Sequence, residues 1–126
     1  MIQSLLFKLV GALLVTFGLI TIIYPQLFTQ LYGMGLETSD SIAAIRSIIG
    51  GCETALGLIF IFGHRLGFTD KSLSILGVTI FSSLVLARGY HLIIDSQISN
   101  RFIRELLAES VIAMAFIYNA ARLSRD

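Results

Sequence analysis

Residues 5–24 read LLFKLVGALLVTFGLITIIY, and Pro25 follows. No Asp, Glu, Lys or Arg occurs from Leu9 through Leu36. A bilayer core of roughly 30 Å takes about 20 residues of helix. The stretch has that length, and Pro25 cannot continue its hydrogen-bond ladder. It predicts a membrane-spanning helix over about residues 5–24. A lysine before an apolar run can also open a secretory signal. This run instead ends in Ile23-Tyr24-Pro25 without a small-x-small cleavage site, so it reads as a retained helix.

Three further runs have the same character, over about residues 41–62, 71–94 and 100–121. Thr38, Ser39 and Asp40 offer N-caps to the second and Thr69 or Asp70 to the third, and Gly63 offers a stop between them. The short loop 63–68 makes the second and third spans antiparallel neighbours. Residues 26–36 are too polar and glycine-rich to cross a bilayer. There Leu27, Phe28, Leu31 and Tyr32 fit one or two turns lying in the interface. The expected fold is all-α: an antiparallel, up-down four-helix transmembrane bundle forming a single domain over residues 1–126.

Composition agrees. Apolar residues make up 56% of the 126, and charged residues only 13%, about half the usual share. A soluble domain of this size would lack the polar surface to cover itself. The net charge of +1 includes no basic stripe, which excludes a nucleic-acid partner. Cys52 is the one cysteine, lies in an apolar run and reads as core filler. Neither a disulfide nor a cysteine-ligated metal is expected, and no cofactor. His64 and His91 fall at opposite membrane faces, which excludes a bis-histidine haem within one chain. With no Trp, interfacial anchoring falls to Tyr24, Tyr32, Tyr90 and Tyr118.

Basic residues set orientation. With both termini cytoplasmic, Lys8, Arg65, Lys71, Arg122 and Arg125 lie inside, and Arg101 and Arg104 lie near the outer end. Five against two favours N-in, C-in, the expected membrane being an inner (plasma) membrane.

The ionisable residues within the spans carry the functional information. Arg46 and Glu53 lie in the second, Arg88 in the third, Glu105 and Glu109 in the fourth. A charge at the bilayer centre costs roughly 2.5–3.5 kcal/mol. At about 1.5 Å per residue, Arg46 lies about 8 Å from the outer end, Arg88 about 9 Å and Glu105 about 8 Å. Glu109 and Glu53 lie deeper, at about 14 and 18 Å. Three helices thus place charge at comparable depth. Arg46, Gly50, Glu53 and Gly57 share one face at α-helical spacing, beside a small-residue stripe of Ser47, Gly51 and Ala55. Gly50, Gly51 and Gly57 are expected at helix contacts. Arg88, His91 and Asp95 share a face of the third span, and Arg101, Glu105 and Glu109 a face of the fourth. Arg46, Glu53, Arg88 and Glu109 are expected to converge, with at least one Arg–carboxylate pair. Two readings fit such a cluster. One is a set of internal salt bridges that fixes helix register. The other is an outer cavity lined by Arg46, Glu53, Arg88, His91, Glu105 and Glu109 that holds a small polar, anionic or lipid-like ligand.

The sequence resembles a family of small four-helix bacterial membrane proteins known only as a domain of unknown function, near the DoxX-like group. The pattern is Pro25, Leu31-Tyr32-Gly33, Arg46 with Gly50-Gly51 and Gly57, Leu86-Ala87-Arg88, then Glu105 or Glu109. That resemblance implies a four-helix fold and no activity. Leu86-Ala87-Arg88-Gly89 departs from the Gly-Arg pair the family pattern leads one to expect. Separately, Arg46 and Glu53 stand at the Arg-x6-Glu spacing of the trimeric glutathione-using membrane proteins of eicosanoid metabolism, with Gly50 where those have Asn.

Four functions follow as alternatives. The chain binds a polar or lipid-like ligand as a binding or accessory protein. It is a transferase-like enzyme whose Arg46 and Arg88 hold an anion such as glutathione. It is a small dimeric exporter in which Glu53 or Glu109 cycles a proton. Or it is a subunit of a homo-oligomer or larger membrane complex.

Overall fold

The computed structural model describes residues 2–35, 38–94 and 99–124. They form helices throughout: α1 (Ile2–Ile23), α2 (Pro25–Tyr32), α3 (Ser39–Ala44), a π-helix (Ile45–Gly51), α4 (Cys52–Phe62), a 3₁₀ turn (Gly63–Leu66), α5 (Asp70–Ile94) and α6 (Asn100–Leu123). Among the described residues there is no strand. Four stretches are long and apolar enough to cross a membrane: Gln3–Ile23, Ser39–Leu66, Asp70–Ile94 and Asn100–Leu123. The all-helical architecture with four long apolar helices agrees with a four-helix transmembrane bundle. The chain divides into two compact units, Met1–Gly67 and Phe68–Asp126.

In the first unit α1 packs against the π-helix and α4. Phe7, Val10 and Phe60 are buried, and the Phe7 and Phe60 rings stack with centroids 6.4 Å apart. Two glycines of the second span set the helix separation. A Cβ on Gly50 would lie 2.7 Å from Ile22 Cγ1 and 2.9 Å from the Gly18 carbonyl. One on Gly57 would lie 2.7 Å from the Val15 amide nitrogen. Backbone therefore meets backbone, which is how small residues hold membrane helices together. Gly51 departs from expectation. A Cβ there would meet only the Arg46 carbonyl of its own segment, at 3.7 Å, so it makes no contact between helices.

The helix starts are set by hydroxyls. Thr38 and Ser41 form a reciprocal capping box at α3. The Thr69 hydroxyl accepts the Ser72 amide at 3.1 Å, and the Ser99 hydroxyl accepts the Phe102 amide at 3.1 Å. The second span outlasts its expected stop. Gly63 is buried with helical φ of −54°, and the chain leaves the helix at Gly67, with φ +89°. Pro25 does end α1, and the next eight residues form α2, an amphipathic helix that buries Pro25 and Thr29. An apolar groove of about 360 Å³ lies beside it, lined by Phe17, Ile20, Leu27, Phe28 and Leu31 among others.

In the second unit α5 and α6 form an antiparallel hairpin. Leu73, Phe81, Ala113 and Phe116 are buried, and the Phe81 and Phe116 rings stack at 5.7 Å. Lower down, the buried Asn119 side chain donates to the Ser74 hydroxyl at 2.7 Å, and Ser74 donates to the Asp70 carbonyl at 2.7 Å. Both polar groups are thereby satisfied. The outer faces carry bulky apolar groups in the open, such as Leu86 at 73% and Ile93 at 83% exposure. Water would penalise that surface, whereas hydrocarbon would not. Tyr24, Tyr32, Tyr90 and Tyr118 are all exposed.

The glycine contacts separate neighbouring positions. Gly50→Leu should destabilise the protein by roughly 1–3 kcal/mol through overpacking, and Gly51→Leu should cost much less. Thermal denaturation in detergent checks this. Equal losses for the two variants would mean that α1 does not lie against Gly50.

Candidate functional site

The densest polar cluster lies in the α5–α6 hairpin. Arg88 sits nearly two turns from the C-terminal end of α5. Glu105 and Glu109 are one turn apart on α6 and so face the same way. The Arg88 Nε donates to Glu109 Oε2 at 2.7 Å, and its Nη2 donates to Glu109 Oε1 at 3.0 Å. Nη2 also lies 2.9 Å from Glu105 Oε2. Glu105 Oε1 in turn accepts from Arg101 Nε at 2.9 Å. This is a fork-to-carboxylate pair extended by a second carboxylate and a second guanidinium.

Aromatic rings close one side of the cluster. The Arg88 guanidinium carbon lies 5.4 Å from the Phe102 ring centroid, within cation–π range. The His91 ring packs against Phe102 at 5.1 Å. All three ionised side chains at the centre are largely covered, with Arg88 at 22%, Glu105 at 24% and Glu109 at 17% exposure. Arg88 and Arg101 balance Glu105 and Glu109, so the network neutralises itself. Its arginine is committed to carboxylates and has little capacity left for an anionic ligand.

Beside this network lies an open recess of about 510 Å³, lined by Arg101, Arg104, Glu105 and Ala108. Arg104 is exposed and has no hydrogen-bond or ion-pair partner among the described residues. It supplies a positive charge that the network does not cancel. Sequence reasoning placed Arg104 near the outer end without assigning it to a site. Its spacing of three from Arg101 was the available signal. Phe102 was missed because an aromatic in an apolar span reads as lipid-facing. Asp95, expected on the Arg88 face, lies outside the described residues.

The second span is different. Arg46 is exposed on the π-helix, and Glu53 is half-buried in the first turn of α4. Glu53 Oε2 is buried without a hydrogen-bond partner among the described residues. The two side chains make no ion pair with each other, and neither has any ion pair among the described residues. The expectation that Arg46 shares a face with Gly50, Glu53 and Gly57 does not hold: Gly50 and Gly57 are buried while Arg46 is exposed. The cause is the π-helix from Ile45 to Gly51. Its i→i+5 bonding puts more residues in each turn, so a face counted at 3.6 residues drifts off register. Gly50 and Gly51 give the local backbone the freedom to widen. Cys52, expected as core filler, is exposed on the same segment. Among the described residues no three His, Cys, Asp or Glu side chains are grouped so as to hold a metal ion.

The network should behave as a unit. Arg88→Met strands the largely covered Glu109 carboxylate and should cost roughly 3–5 kcal/mol, and Glu109→Gln should cost less because Arg88 keeps Glu105. The double change should cost much less, as judged by folded yield and melting in detergent. A double variant as damaged as the sum of the singles would contradict a direct pair.

Comparison with curated proteins and with solved structures finds no match for this chain. A family model described as a domain of unknown function, DUF4345, matches residues 2–119. With nearly its whole length inside that match, the chain belongs to the DUF4345 family.

Proposed function

We propose that this protein is an integral membrane protein of binding rather than catalytic character, and that the start of α6 holds the anionic headgroup of a phospholipid. The observation that carries the reading is the recess beside Arg101 and Arg104, in which Arg104 has no partner among the described residues. The neighbouring charges cancel, so the recess retains a net positive charge. A guanidinium presents its donors in a fork that matches phosphate oxygens.

Depth supports the same ligand. The bias of Lys and Arg favours cytoplasmic termini, which puts residues 101–104 at the outer surface. Phosphate groups of the bilayer lie at that level. The transferase alternative needs Arg46 and Arg88 to hold an anionic cosubstrate. The commitment of Arg88 to Glu105 and Glu109 argues against it.

The test is thermal stability of purified protein in detergent, titrated with phosphatidylglycerol, phosphatidylcholine or inorganic phosphate. Phosphatidylglycerol should raise the wild-type midpoint more than phosphatidylcholine does, and Arg104→Gln should remove the difference. Stabilisation by inorganic phosphate alone would indicate a free anion rather than a lipid. Indistinguishable responses to the two lipids would sink the proposal. A reporter fused after Asp126 should read cytoplasmic, and an external signal would overturn the outward placement of α6's start.

A further inference from the structure

Glu53 is the acidic side chain that the fold leaves unexplained. It lies well inside the second span, directly after the π-helix. Its Oε2 is buried and has no hydrogen-bond partner among the described residues. Buried polar atoms in folded proteins are nearly always satisfied, and an orphan points to strain, a catalytic role, or a missing water or ion.

The described charged groups and the thiol of its unit can be taken in turn. α1 packs along this segment and bears no acid or base after Lys8, which is itself exposed near the Phe7 end. Arg46 on the π-helix is exposed. Cys52 beside it is exposed. Asp40 on α3 and His64 and Arg65 on the 3₁₀ turn are about 16–20 Å away along the axis. None of them forms a salt bridge with Glu53. Away from the span ends, Glu105 and Glu109 are already answered, Glu109 by Arg88 and Glu105 by Arg88 and Arg101.

We propose that Glu53 is a reversible monovalent-cation site inside the membrane, taking a proton or a sodium ion from the aqueous phase. An ionised carboxylate at this depth is costly without a positive charge beside it. Among the described residues a fixed one meets Glu105 and Glu109, and none pairs with Glu53. An exchangeable cation satisfies the orphan oxygen, and being exchangeable it can leave again. The π-helix suits such a role, because π-turns within helices occur frequently at functional sites. Here it also turns Arg46 off the face that would have neutralised Glu53 permanently. The site is independent of the Arg104 recess, so either can fail without the other.

The test uses dicyclohexylcarbodiimide, an apolar reagent that reaches carboxyl groups within membranes. The protonated carboxyl adds across one C=N bond, its oxygen bonding to the central carbon and its proton passing to nitrogen. The acyl group then shifts to nitrogen, giving a stable N-acylurea that retains every atom of both reactants. Wild-type protein in native membranes is treated, digested and mapped by mass spectrometry. Label should appear at Glu53 and be absent from Glu105 and Glu109. Protection by sodium at constant pH identifies sodium as the occupant. Protection by alkaline pH alone identifies a proton. Glu53→Gln should lose the label, and if that variant fails to fold, the wild-type map still decides. No label at Glu53, or label indifferent to both sodium and pH, would overturn the proposal.

Discussion

An ionised side chain within an apolar helix pair is costly unless opposite charge meets it. The α5–α6 hairpin is organised around that constraint. Arg88 reaches Glu109 with two donors and Glu105 with one of the same nitrogens. The contacts lower in the hairpin keep its register. Stepping seven residues back along α5 from Arg88 gives Phe81, and stepping seven forward along α6 from Glu109 gives Phe116, and these two rings stack. A further seven back gives Ser74, which receives the Asn119 amide. A slip of one residue would separate all three pairs. Apolar packing alone discriminates poorly between registers, because neighbouring leucines and isoleucines are nearly interchangeable. The desolvated charges discriminate strongly, since a misplaced one has no partner.

The first unit solves its packing without charge. Gly50 and Gly57 bring the second span against α1 until backbone atoms touch. That closeness depends on missing side chains and leaves no room for a polar network along the contact. The charges that do occur there, Arg46 and Glu53, are consequently not absorbed into packing. The two units divide the labour: one uses its ionised groups to hold helices together, and the other leaves a carboxyl group available.

Much of the architecture could be read from the residues. The four apolar runs, the break at Pro25 and the cap at Thr38 follow from local chemistry, because each depends only on neighbours in sequence. That at least one Arg–carboxylate pair would form was legible too, from the similar depths of the charges, but not that it would join Arg88 to Glu109. The π-helix was not. Its effect is to change the period of the helix, and every face assigned at 3.6 residues per turn inherits the error. Arg46, assigned to the Gly50 and Gly57 face on that count, is exposed while the two glycines are buried. The recess at Arg104 escaped notice for another reason. A basic residue at a span end has an ordinary explanation in topology, and only the tertiary structure shows that its neighbours are paired while it has no partner among the described residues.

The central claim is that Arg88 is held by α6 carboxylates inside a bilayer. Solid-state NMR on protein labelled at arginine nitrogens and glutamate carboxyl carbons, reconstituted in lipid, measures this directly. Resolved dipolar coupling should link Arg88 Nε to Glu109 and Arg88 Nη2 to both Glu105 and Glu109, with no arginine coupling at Glu53. Absence of coupling from Arg88 to Glu109, or a strong arginine coupling at Glu53, would contradict the account.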